Sequence, residues 1–143
     1  MAAVNSRRVL IGALAGGVVW SVWSMVVNAG ILATRYMAAE NAGLLLKQPR
    51  YGIATFMITW FVTLFLLAYV GAWFYASVRA TRGAGPGTAL QVGLLLGFAA
   101  GFPISLSVAS WAPFSRAIPL WWMLDLWLGA ILATLVAGWL YRD

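Results

Sequence analysis

Residues 51–78, YGIATFMITWFVTLFLLAYVGAWFYASV, run without one charged side chain. At 1.5 Å of rise per residue, a helix through them is about 42 Å long, more than the ~30 Å hydrocarbon core of a bilayer. Three other stretches share this property: 9–34, 88–111 and 120–141, the last interrupted only by Asp125. Across the 143 residues 64% are hydrophobic and 8% charged, and the mean hydropathy is +0.91. Four spans in so short a chain leave no room for a soluble domain. The sequence therefore predicts an all-α fold, one four-helix transmembrane bundle covering residues 1–143.

Residue types that are missing narrow the chemistry. There is no cysteine and no histidine, so thiolate catalysis and the usual ligands of haem, zinc, copper and chlorophyll-type magnesium are not supplied. No metal site and no cofactor is predicted from the ligands. The net charge of +6 does not read as a nucleic-acid surface, because the basic residues lie at span ends with no dense patch among them. Arg7, Arg8, Arg79, Arg82 and Arg142 share one side; Arg35, Lys47, Arg50 and Arg116 share the other, with Glu40. The excess of basic residues favours both termini in the cytoplasm. The opening NSRRVLIGALAGG has the twin arginine of an export signal, but its apolar run outlasts a signal's core. It is read as an anchor helix.

Connections are short. TRGAGPGT, residues 81–88, cannot continue a helix and predicts a tight hairpin between the second and third spans; WAPFSRAIP, 111–119, ends the third span between Pro113 and Pro119. The stretch RYMAAENAGLLLKQPR, 35–50, suits an interfacial helix over 36–47, or else an extension of the first span. RVLIGALAGG and TALQVGLLLG open the first and third spans, and VGAWFYASVR and VAGWLYRD close the second and fourth. This faint correspondence suggests two parallel helical-hairpin repeats.

Small residues recur at helical spacing. Gly12, Gly16 and Gly17, with Ala13, Ser21, Ser24 and Asn28, mark an inward face on the first span; Gly93, Gly97, Gly101 and Ser105 mark the third, and Ala130, Thr134 and Gly138 the fourth. Thr55, Thr59 and Thr63 predict the same for the second. Such stripes let helix backbones approach closely, the normal means of association in lipid. Pro103 removes a helical donor inside the third span and predicts a kink.

Asp125 lies five residues past Leu120, in the outer part of its span. Asn28, Thr55 and Thr59 belong at the same depth, with Arg35 and Arg116 near enough to snorkel inward. The expectation is a polar cluster of these six residues, with an ionised Asp125 paired to an arginine. Of nine tryptophans, Trp60, Trp73, Trp111, Trp121, Trp122 and Trp139 fall near span ends, where amphipathic rings belong. Trp20, Trp23 and Trp127 lie deeper, where contact with lipid, quinone or pigment competes with plain packing.

RVLIGALAGG at the start, GAGPGTAL before the third span and VAGWLYRD at the end together resemble a widespread group of small, uncharacterised bacterial four-helix membrane proteins. The resemblance implies an integral protein of the bacterial cytoplasmic membrane and brings no catalytic residues. The polar motifs of fluoride channels, small multidrug transporters and membrane-associated eicosanoid and glutathione enzymes have no counterpart here. Three functions remain. The first is a structural or accessory subunit that binds other integral membrane subunits of a larger complex of respiratory or photosynthetic type. The second is a homo-oligomeric ion channel or transporter. An enzyme comes last, since a single intramembrane acid leaves acid–base chemistry without a pair.

Overall fold

The computed structural model describes residues 4–141 and is all-helical over them. Helix α1 covers Ser6–Met25, continues through a π-helical turn at Val26–Ile31, and is followed by a short α2, Ala33–Asn41. Helices α3 (Ile53–Arg82), α4 (Pro86–Trp111) and α5 (Ala117–Leu140) complete the chain. The four long segments are apolar and long enough to cross a membrane.

Helix α5 packs against α1, α3 and α4, and α1 also packs against α3, whereas α1 and α4 share no extensive interface. The α1–α5 interface is an antiparallel ladder of small residues. A Cβ placed on Gly12 would meet Ala137 at 3.1 Å, and one on Gly16 would lie 2.7 Å from the Ala133 carbonyl oxygen. One turn further Trp20 rests on Gly129. The α4–α5 interface repeats the device: a Cβ on Gly97 would come within 2.7 Å of the Trp127 Cα, and one on Gly101 within 3.0 Å of the Met123 carbonyl oxygen. Gly93 faces Ala130, Ile131 and Thr134, and Gly17 is covered by Phe65. All six glycines of the expected packing stripes are buried. Dispersion between closely approached backbones holds these helices where burial from water contributes nothing.

The order of hairpins is the one two parallel repeats require, but α1 packs on α5 far more closely than α4 packs on α3. Several boundaries differ from the sequence reading. Asn41, Ala42 and Gly43 end α2 in a Schellman turn, with Gly43 at φ +70° and the Leu44 amide donating to the Ala39 carbonyl at 2.9 Å. Leu44, Leu45 and Leu46 thus lie beyond the helix expected over 36–47. Helix α5 starts at Ala117, before Pro119, because a proline in the first turn gives up no helical hydrogen bond. Helix α4 stays helical through Pro103.

The expected threonine stripe is overturned. Thr55, Thr59 and Thr63 are exposed, and Thr63 satisfies its hydroxyl on the Thr59 carbonyl of its own helix at 2.8 Å. Helix α3 instead faces inward with Leu64, Ala68, Gly71, Ala72, Tyr75 and Ala76.

Candidate functional site

Starting the last helix at Ala117 places Asp125 eight residues in, roughly 12 Å along the axis, so it is deeper than expected. It is 0% exposed. Helix α1 reaches it from across the small-residue ladder: Ser24 Oγ donates to Asp125 Oδ2 at 2.8 Å, and Asn28 Nδ2 donates to the same oxygen at 3.0 Å.

Asn28 belongs to the π-helical turn, a local widening that often marks a functional site. Its side-chain amide also donates back to the Ser24 carbonyl at 2.9 Å. Its carbonyl Oδ1 accepts the Tyr36 hydroxyl at 2.6 Å, and that hydroxyl in turn accepts the Trp122 indole N–H at 2.6 Å. From α3, Trp60 Nε1 donates to Ser24 Oγ at 2.9 Å. A continuous chain of neutral hydrogen bonds thus joins α2, α1, α3 and α5 around one carboxylate. Its second oxygen, Oδ1, has no partner among the described residues; the buried Trp20 and Trp23 indole nitrogens also have none.

Of the expected cluster, only Asp125 and Asn28 come together. Arg35 is exposed and donates to the Ile31 carbonyl at 3.2 Å, and Arg116 is exposed. The expected arginine pair is absent among the described residues because the π-helical turn carries Arg35 onto the outer face, while Arg116 precedes α5. Thr55 and Thr59 point outward on α3. The sequence reading missed Ser24, Tyr36, Trp60 and Trp122 as members. In sequence Ser24 has the pattern of a packing residue and the two tryptophans that of interfacial rings; the i, i+4 spacing of Ser24 and Asn28 is the available signal.

No family model, no curated protein and no solved structure matches this chain. A carboxylate oxygen held by a hydroxyl and an amide anchors two helices, and no group of three or more acidic, histidine or cysteine side chains forms a metal site among the described residues.

Tyr36 lies beyond the first span. Burial raises its phenol above the ordinary 10.0; the Trp122 hydrogen bond opposes this and the Asp125 charge adds to it. A folded-state value above the unfolded one means stability that is complete below the unfolded value and is lost as pH rises through the folded one. Melting temperature should therefore fall above pH ~10, and Tyr36→Phe should remove most of that fall. An unchanged alkaline decline in the variant would place its source elsewhere. At neutral pH the variant leaves the Trp122 indole and the Asn28 carbonyl oxygen unpaired, at a cost of about 1–2 kcal/mol.

Proposed function

We propose that the protein is a structural or accessory integral membrane subunit that binds other membrane-embedded chains of a larger complex, of respiratory or photosynthetic type. The observation that carries this reading is how the polar groups of the core are used. Ser24, Asn28, Tyr36, Trp60 and Trp122 bond to one another around Asp125, tying helices together, and the carboxylate is sealed from solvent. Meanwhile α3 turns Phe56, Ile58, Val62, Leu66, Tyr69 and Trp73 outward along its length. A bundle whose polar side chains bond to one another across helices, with broad apolar flanks, suits a part that fills space between larger neighbours.

The same proposal places the protein in a bacterial cytoplasmic membrane among the small four-helix proteins it resembles. Both termini are cytoplasmic, because the sequence puts five basic residues, Arg7, Arg8, Arg79, Arg82 and Arg142, at one end against Arg35, Lys47, Arg50 and Arg116 at the other. Arg142, counted with them, lies outside the described residues.

Native mass spectrometry after gentle solubilisation from the source membrane tests the reading. Co-purification with larger, different chains is the expected result. Isolation of this chain alone, from membranes where marker complexes stay intact, would overturn it. The second reading, a homo-oligomeric channel or transporter, draws on the unpartnered Asp125 Oδ1, since buried acids in spans often serve transport. For that reading, liposomes should show an ion flux lost in Asp125→Asn; no flux counts against it.

A further inference from the structure

Three buried polar atoms have no hydrogen-bond partner among the described residues: the Asp125 Oδ1 acceptor and the indole Nε1 donors of Trp20 and Trp23. We propose that one buried water molecule joins them, accepting from both indoles and donating to Asp125 Oδ1. The inference goes beyond both readings above and holds under either.

The small-residue ladder brings the three together. Trp20 lies against Gly129 and Ser24 against Asp125, so the two contacts are adjacent rungs between α1 and α5. Asp125 and Gly129 are four residues apart, about 6 Å along α5. The atoms nearest to the Cβ that Gly129 lacks are Trp20 Nε1, Cδ1 and Cε2, so it is the N–H edge of the indole that faces α5 there. Two hydrogen bonds of about 2.9 Å through one water reach about 5.8 Å, which matches the step between rungs. Trp23 packs against the core group of Trp20 and Leu126 and also against that of Val27 and Ile118. Trp121 and Trp122 belong with the second group and Leu126 with the first, so the two meet at the depth of Asp125.

Complementarity selects the occupant. Trp20 and Asp125 are both 0% exposed, and an unmet donor or acceptor at that depth is strongly disfavoured, a carboxylate oxygen most of all. A cation would suit the carboxylate but would face the positive ends of two N–H dipoles. An anion would face the carboxylate charge. The occupant must accept two bonds and donate one within a small enclosed space, and about three bonds is the ordinary pattern of a buried water. Ser24 and Asn28 already hold Oδ2, so the water completes the other half of the carboxylate.

Protein in nanodiscs, with 15N at the tryptophan indoles, gives the test, read as magnetisation transfer from water to each indole N–H. Trp20→Phe and Trp23→Phe assign the two resonances. Both should show transfer with the sign of a long-lived bound water, although both nitrogens are buried. Trp127, which donates to the Leu94 carbonyl at 3.2 Å, should show none, and Trp111, 85% exposed at the end of its span, sets the signal of bulk water. Asp125→Leu removes the acceptor and should abolish both transfers. Ser24→Ala removes the hydroxyl on Asp125 that could relay the signal, and should leave them intact. Absence of transfer at Trp20 or Trp23 in the unaltered protein would overturn the proposal. So would its loss in Ser24→Ala, which would reveal a hydroxyl relay, or its persistence in a folded Asp125→Leu.

Discussion

Replacing Gly97 with leucine should separate α4 from α5 and destabilise the bundle by about 3 kcal/mol. A Cβ there would lie 2.7 Å from the Trp127 Cα and 2.8 Å from its carbonyl oxygen, both backbone atoms that no rotamer change can move. The helices would have to part, and the loss would spread along the register to Gly93 and Gly101, which depend on the same approach. Trp127 would lose its bond as well, since its Nε1 donates to the Leu94 carbonyl at 3.2 Å across that interface. Reversible unfolding in mixed micelles gives the measurement. Gly30→Ala is the control, because a Cβ there meets nothing within 4 Å, and replacing glycine in a helix is neutral or mildly favourable. If Gly97→Leu unfolds like the parent, close backbone approach is not what holds α4 to α5.

Asp125 should separate into an oxygen effect and a charge effect. Asp125→Asn keeps an acceptor where Oδ2 stands and puts its NH2 group where Oδ1 has no partner, so stability should change by less than about 1 kcal/mol. Asp125→Leu withdraws the acceptor from Ser24 Oγ and Asn28 Nδ2 together and should cost about 2 kcal/mol. Combining Asp125→Leu with Ser24→Ala should cost less than the two singly, since both remove one bond. Equal damage from the asparagine and leucine variants would mean that the negative charge is required and would restore an arginine partner.

Legibility followed the kind of interaction. Uncharged runs declared four spans, and small residues at helical spacing declared the inward faces of α1 and α4, since those signals lie within one segment; that both faces meet α5 did not show. The polar site needed relations between segments. Tyr36 reaches Asn28 only because a π-helical turn intervenes, and Trp122 reaches Tyr36 only once α5 starts at Ala117. Equal depth placed Thr55 and Thr59 beside Asp125, but depth does not fix rotation about an axis. Leu64, Ala68 and Ala72 decide which way α3 turns.

The position of α5 as the common neighbour of α1, α3 and α4 bears on biogenesis. It is the last of the four spans to leave a ribosome, so the first three enter the bilayer before the surface they share exists. Until then Gly12, Gly16 and the Asn28 amide of α1 lack their α5 mates, while α3 already supplies Phe65 to Gly17 and Trp60 to Ser24. The contacts made by α5 thus form only after Ala117–Leu140 has been synthesised, and a ribosome stalled before Ala117 would leave three inserted helices that quality-control proteases can tell from a finished bundle.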